Sequence, residues 1–170
     1  KDNNISSISF DSLHFFQVQN LVEEIDAKSV KIKKSDVTVN LILPKTYEEY
    51  LESLTKKNRH ELRRKKRKFD NETSSYELGE SKEQDIFDIF ISQHRESKGE
   101  KGEFMTEVVE TYFRNLLNLQ GWKIYYTNTD KGVLSTAFCY ENDDGCYLYN
   151  SSRNNEFNSI NPGIVLNDLI

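Results

Sequence analysis

Cysteine, proline and glycine are all scarce in this chain of 170 residues, which contains 2, 2 and 7 of them. So few prolines and glycines exclude collagen-like and low-complexity chains, and two cysteines are too few for the disulfide framework of a small secreted domain. No apolar run approaches the roughly 18 residues that suggest a membrane-spanning helix. The length fits one domain, or one domain with a fragment of another. We therefore expect a globular protein of a reducing compartment, the cytoplasm.

Several catalytic motifs are missing as well. The chain has no Ser-His-Asp order, no GxSxG sequence, no Walker sequence and no metal-ligand spacing, which excludes the common hydrolases, kinases and metalloenzymes and predicts no metal site. The two cysteines, Cys139 and Cys146, are separated by a turn sequence. A cross-strand disulfide between them stays open, but two reduced thiols filling strand positions are favoured.

Positive charge is concentrated in one stretch of the chain. Residues 56–68 read KKNRHELRRKKRK and hold 9 of the 23 lysines and arginines, whereas the rest has 14 basic and 27 acidic residues, a net charge of −13. Such a stretch indicates a polyanionic partner, which is nucleic acid, anionic lipid or a phosphorylated substrate, unless it is a solvated helix face. Nucleic acid is the less favoured partner, because His60 is the only ring in the stretch that is able to stack on a base.

Local patterns predict the elements that surround the basic stretch. No period is clear over residues 1–36, whereas DVTVNLIL at 36–43 alternates as a half-buried strand does. Thr46 with Glu49, and Asn58 with Glu61, have the spacing of capping boxes. Each box predicts the start of a helix, and the second helix carries the basic stretch.

The next elements follow from the same signals. A short strand is predicted at 76–78, and Ser81 with Gln84 forms a third capping box before a helix that reaches about residue 96. The polar stretch 97–103 contains two glycines and predicts a loop. Thr106 then caps a helix with a long apolar stripe.

The strongest β signal lies after residue 121. Three strand-like segments, WKIYYTN, VLSTAFCYEN and CYLYNSS, are separated by NTDKG and NDDG, whose Asp and Gly form turns. This pattern predicts a three-stranded antiparallel meander. A polar stretch follows, and Pro162-Gly163 opens a final helix. The order of elements predicts an α+β protein, with helices packed on one sheet.

The start of the final helix is a candidate anion site. Its first N–H groups lack partners within the helix and lie at the positive end of the helix dipole, which favours phosphate. Gly163 would allow a ligand to approach the backbone. Alone this signal is weak, because a Pro-Gly helix start is more often simple punctuation.

Five blocks of the chain carry a family resemblance: LPKTYEEYLESLTKKNRHELRRKKRKFDNE, the pair His94-Arg95, GWKIYYTN, YLYNSS and NSINPGIVLNDLI. Together they resemble the GNAT superfamily of N-acetyltransferases. Within it they are most similar to the branch with the CelD-type proteins of polysaccharide biosynthesis and the Fem-type peptidoglycan-bridge transferases. The resemblance implies a GNAT-like mixed sheet with flanking helices over residues 37–170. Residues 1–36 are then an N-terminal segment, which belongs to the end of a preceding domain.

The resemblance also implies a site for acetyl-CoA or another acyl-CoA. Its diphosphate would be held by backbone N–H groups at the last helix start, those of Asn161, Gly163, Ile164 and Val165. The end of the preceding strand would face the thioester, with Tyr149, Asn150 and Ser151.

Two side chains are the catalytic candidates, His94 and Tyr149. An attacking amine needs a base, and His94 is the best-placed one, although a structural helix-end histidine is the alternative. Tyr149 either lines the acceptor cleft or packs against the core.

The chain departs from the family pattern at two places, which limits how many of the family's functional residues it is expected to share. The family usually has another Arg and a Trp after the His-Arg pair, where this chain has Ser97 and Lys98, so we expect different acceptor contacts. A later strand with an Asp, a Gly and a Tyr-Lys pair is missing from the sequence. The predicted domain is therefore truncated at its C-terminus, and a further domain or chain segment is expected.

Three functions remain open from the sequence. The first is transfer of an acyl group from acyl-CoA to an amine, of an amino sugar or a cell-envelope precursor, by direct attack. The second is a Fem-like transferase that uses aminoacyl-tRNA, with the basic helix holding RNA. The third is a non-catalytic module that binds an anionic partner or membrane surface through residues 56–68.

Overall fold

The computed structural model describes residues 7–9, 15–25, 30–33 and 39–170. It divides into two units, Lys1–Lys45 and Thr46–Ile170. In the first unit, helix α1 spans Phe15–Glu24. The half-buried strand predicted at 36–43 is wrong over residues 39–43, which form no strand and leave Val39 91% exposed. An apolar alternation needs a neighbouring strand, and the described residues supply none here; residues 36–38 lie outside the described ranges.

The second unit carries the sheet and the remaining helices. Its elements, in chain order, are α2 Tyr47–Ser53, α3 Lys56–Glu72, β1 Tyr76–Ser81, α4 Gln84–Arg95, α5 Glu100–Phe104, α6 Glu107–Leu117, β2 Trp122–Thr129, β3 Gly132–Asn142, β4 Gly145–Arg153, a 3-10 helix Asn155–Ile160, and α7 Pro162–Leu169. The predicted loop at 97–103 therefore contains a short helix, α5.

The sheet confirms the α+β class and the predicted meander. Its strands lie in the order β1-β2-β3-β4, and each neighbouring pair is antiparallel. The parallel pair that a mixed sheet requires is not found among these described strands. Gly132, in the β2–β3 turn, has φ of 90°, a conformation that other residues rarely adopt.

Threonine is the N-cap residue of three helices. The hydroxyls of Thr46 and Thr106 accept N–H bonds from Glu49 and Val109, as predicted. The basic helix begins three residues before the predicted Asn58 box, because Thr55 is its N-cap and accepts from the Asn58 amide at 3.2 Å.

The predicted box of Ser81 with Gln84 is wrong. Helix α4 begins after Glu83, which makes no side-chain cap. The Ser81 hydroxyl accepts instead from the Glu83 amide at 2.9 Å, because Ser81 is still paired in β1.

Each face of the sheet is covered by helices. Phe90 of α4 and Phe113 of α6 pack with Ile124 and Phe138 on one face. On the other face, Leu166 of α7 packs against Ala137 and Cys139, and Val165 joins Leu134 and Phe69 of α3. The alternation of Ala137, Phe138 and Cys139 along β3 thus places α4 and α7 on opposite faces of the sheet. Both cysteines are free thiols, Cys139 buried and Cys146 exposed, as favoured from the sequence.

Candidate functional site

A β-bulge interrupts β4 at its centre. Phe138 pairs with Asn150, whereas the next residue of β3, Cys139, pairs with Leu148, so Tyr149 has no partner in β3. A bulge of this kind bends the strand and re-aims its side chains, and it is common beside active sites. The bulge contains Tyr149 and adjoins Asn150, two of the residues for which the sequence predicted thioester contacts.

Helix α4 brings His94 to this bulge. The ring is 1% exposed, and its Nε2 lies 3.1 Å from Oδ1 of Asn150. The same Oδ1 accepts the backbone N–H of Ser151 at 2.7 Å, which identifies it as the oxygen of the amide. Nε2 therefore carries the hydrogen and donates it, and Nδ1 is left with a lone pair. This Nδ1 is buried and has no hydrogen-bond partner among the described residues.

Burial lowers the pKa of His94. Loss of solvent is the largest cause, the bond to Asn150 acts in the opposite direction, and the charge of Lys101 lowers the pKa further. Backbone groups of Lys101 and of His94 itself also raise the pKa of His94. None of these backbone groups forms a hydrogen bond with Nδ1. The neutral ring with a free Nδ1 is thus the form favoured at neutral pH, which is the form that accepts a proton.

His94 and Asn150 line one open cleft with two residues that sequence reasoning missed. The cleft has a volume of about 280 Å³, and its other lining residues are Lys101 and Phe104 of α5. Phe104 packs against the His94 ring with centroids 5.8 Å apart. Helix α5 lies where a loop was predicted, so the only available signal was the lysine between two glycines.

Lys101 lies in an environment that is unfavourable to its own charge. Its pKa is lowered, mainly by burial and then by the positive charge of Arg153. Neither cation forms an ion pair with a carboxylate of the described residues. A bound anion at this end of β4 would relieve the repulsion between them.

Tyr149 packs against the aromatic cluster and stays 51% exposed. Its ring lies 5.6 Å from that of Phe113 and 5.3 Å from that of Trp122. Its hydroxyl is 3.4 Å from that of Tyr112, which makes a weak bond. The Tyr112 contact and burial raise the pKa of Tyr149 to about 12. Tyr149 therefore keeps its proton at neutral pH and is able to donate a hydrogen bond.

The start of α7 differs from the expected row of free donors. The N–H groups of Ile164 and Val165 both bond to the carbonyl of Asn161, at 3.1 and 3.2 Å, and the N–H of Asn161 bonds to Asn158. These three amides are occupied because Asn161 adopts a left-handed conformation, φ 57°, which joins the 3-10 helix to α7. The expectation of four free amides is corrected to one, that of Gly163, which makes no such bond within the described chain.

Open space lies in front of Gly163. A Cβ added there would meet only Cδ of Arg153, at 4.0 Å. The free amide, the open approach and the neighbouring guanidinium fit a phosphate group. The residues present therefore fit the diphosphate end of a coenzyme A.

Buried hydroxyl groups hold these parts in place. Ser135 of β3 donates to the Pro162 carbonyl at 3.0 Å and bonds to Thr127, which anchors the start of α7. Ser152 of β4 donates to the Phe90 carbonyl at 3.0 Å, which anchors α4 and with it His94. The pattern of strand residues gave no signal for this role, because these hydroxyls occupy positions expected for apolar side chains.

A larger open cavity, of about 470 Å³, lies on the outer side of α4, between Asp88 and Glu110. It is lined by the ion pair of Arg95 and Glu110, at 2.7 Å. It contains none of the predicted site residues, and its one cation, Arg95, is already paired. We therefore place the candidate site at the smaller cleft beside β4.

Within the described ranges the chain has neither a metal-binding cluster nor a membrane-spanning helix. No group of three or more His, Cys, Asp or Glu side chains there could hold a metal ion. None of the helices formed by these residues has the length and apolar character needed to cross a membrane.

Comparison with known proteins identifies one family. The family model described as an acetyltransferase (GNAT) domain matches residues 56–170, about two thirds of the chain. The match begins at the basic helix and contains the bulge, the His94 cleft and the start of α7. No curated protein matches the chain.

Proposed function

Since the chain belongs to the acetyltransferase (GNAT) domain family and is an N-acyltransferase, we propose that it transfers an acyl group from acyl-CoA to an amine, by direct attack. The same family membership argues against the non-catalytic module that was considered from the sequence. The observation that carries the proposal is the convergence at one end of β4. Tyr149 and the His94–Asn150 pair lie at the bulge, and Arg153 at the end of the same strand lies beside the free amide of Gly163.

The donor end of the site is formed by Gly163 and Arg153. The single free N–H at the start of α7 and the guanidinium beside it bind phosphate oxygens. Lys101 adds a second cation near Arg153. When bound, acyl-CoA supplies a thioester whose carbonyl carbon is the electrophile.

His94 acts as the base at the acceptor end. Its Nε2–H is held by Asn150, so Nδ1 is the atom that accepts the proton of the attacking amine, through one bridging water because Nδ1 itself is buried. A depressed pKa keeps the ring neutral and able to accept it. The Tyr149 hydroxyl keeps its own proton and donates a hydrogen bond at the bulge.

The acceptor we propose is the amine of an amino sugar or of another cell-envelope or polysaccharide precursor. The half-exposed rings of Phe104 and Tyr149 support this class, because the apolar face of a sugar ring packs on an aromatic ring. The family resemblance to CelD-type and Fem-type proteins supports it as well. Ser97 and Lys98 stand where that branch usually has Arg and Trp, so the acceptor contacts of this chain differ from those of the branch.

Gly163 provides the test of the donor site. Gly163→Asp places a carboxylate beside the diphosphate, and repulsion should weaken acyl-CoA binding at least about tenfold, or about 1.4 kcal/mol. Gly163→Asn is the matched control, because it has the size of Gly163→Asp without the charge and should bind acetyl-CoA more tightly than Gly163→Asp does. Calorimetric titration with acetyl-CoA measures both. Equal affinities of wild type and Gly163→Asp would show that the diphosphate does not bind at α7.

The Fem-like alternative differs in the acyl donor. If aminoacyl-tRNA were the donor, binding would weaken steeply with salt, because each phosphate contact releases counterions. Tight aminoacyl-tRNA binding together with no acyl-CoA binding would favour that alternative over the proposal.

A further inference from the structure

Helix α3 carries a straight row of basic side chains on its outer side. Lys56, His60, Arg63 and Arg67 follow one another at spacings of four, three and four residues. This spacing keeps all four on one face of a helix, over a length of about 16 Å. All four side chains are exposed. We call them the basic row.

Several other charged side chains of the helix form ion pairs, whereas the basic row forms none with the described residues. Glu61 pairs with Arg64 at 2.7 Å and with Lys65 at 3.7 Å, and Asp70 lies 3.7 Å from Lys66. The described part of the chain contains no ion pair with any member of the basic row. Two carboxylates thus pair with three cations of the helix, and neither carboxylate compensates the outward charge of the basic row.

The packing of α3 against the core orients the basic row toward solvent. Phe69 is fully buried and lies about 220° around the helix from Lys56, on the opposite side. The Arg59 side chain turns back to the Leu51 carbonyl at 3.1 Å. Asp168 of the neighbouring helix α7 accepts a bond from Tyr47 at 2.8 Å. The cations therefore point to solvent from a rigid support.

We propose that the basic row is a docking surface for an anionic phospholipid membrane. A straight row on a convex helix matches a flat layer of headgroups, and each Lys or Arg near such a surface adds attraction. The net charge of −13 outside residues 56–68 turns this face toward the membrane and the rest away. Nucleic acid fits less well, because the row offers no ring besides His60 for stacking. The proposal is independent of the acyl-transfer site.

Vesicle sedimentation tests the basic row. The whole chain is mixed with vesicles of phosphatidylcholine alone, or of phosphatidylcholine with one-third phosphatidylglycerol, at 50 and 300 mM salt. We expect binding to the anionic vesicles only, and loss of most of it at high salt. The double variant Arg63→Glu, Arg67→Glu should bind at least tenfold more weakly.

A matched variant controls for net charge. Lys82→Glu, Lys131→Glu makes the same change of charge at exposed lysines outside the helix, and it should retain vesicle binding. Circular dichroism and acetyl-CoA titration show whether both variants stay folded. Equal loss in both variants, or no binding of the wild type, would overturn the proposal. Binding of duplex RNA that depends on Arg63 and Arg67, with vesicle binding unaffected by them, would assign the row to nucleic acid instead.

Discussion

The ionisation of His94 is set by opposing groups, and one substitution changes their balance. Burial depresses its pKa below the ordinary 6.5, and the Asn150 oxygen at 3.1 Å acts against burial. Asn150→Asp puts a carboxylate at that place. An opposite charge within 4–6 Å shifts a pKa by about 1–3 units. We therefore expect the variant to raise the pKa of His94 by at least about 1 unit.

Proton NMR measures this directly, without an acceptor substrate. The chain has three histidines, and the His94 signal is assigned by its loss in His94→Asn. The wild-type His94 signal should titrate below pH 6.5, and Asn150→Asp should move its midpoint upward. A wild-type midpoint at or above 6.5, or no movement in Asn150→Asp, would refute the assigned geometry.

The same shift has a consequence for stability. Because the folded pKa is depressed, the unfolded chain binds more protons than the folded protein between that pKa and 6.5. This contribution to stability is present above pH 6.5 and is lost as the pH falls toward the folded pKa. Urea unfolding from pH 5 to 8 should show the loss in the wild type and a smaller loss in His94→Asn.

Two further substitutions test the supports of the site. Ser135→Ala removes the bonds to Pro162 and Thr127, so it should lower the free energy of unfolding in urea by about 1–3 kcal/mol and weaken acetyl-CoA binding. The control Thr127→Val should lower stability without weakening acetyl-CoA binding. Equal acetyl-CoA affinity in the two variants would contradict the anchoring role of Ser135. Gly79→Ala places a Cβ 2.3 Å from Cζ of Tyr126, so thermal and urea unfolding should show a loss of about 1–3 kcal/mol. A Tyr126→Ala background should recover part of that loss, and an unchanged stability of Gly79→Ala would show that β1 and β2 are not packed as described.

Local signals were sufficient for much of the fold. The Asp-Gly and Lys-Gly turns and the aromatic strands predicted the meander, and Pro162-Gly163 predicted the start of α7, because turn and cap chemistry acts over a few residues. The strand predicted at 36–43 failed for the converse reason. Alternation shows that a segment is able to pair, but pairing needs a partner that the local sequence does not contain.

The site was less accessible to prediction because its contacts are long-range. His94 and Asn150 were both named from the family resemblance, but their mutual bond spans 56 residues. The bulge at Tyr149 depends on the register of β3 against β4, which neither strand specifies alone. Lys101 was passed over because its position depends on α5 folding back beside α4.

Polar residues in the middle of β3 link the fold to the function. Ser135 and Thr136 are fully buried between a leucine and an alanine, where an apolar side chain would pack without needing a partner. Their hydroxyls bond instead to Pro162, at the start of α7, and to Ser152, which holds α4. One strand thereby fixes the two helices that carry Gly163 and His94 from opposite faces of the sheet. Replacing these hydroxyls by methyl groups would keep the hydrophobic core but would remove the bonds that set the donor end and the base relative to each other.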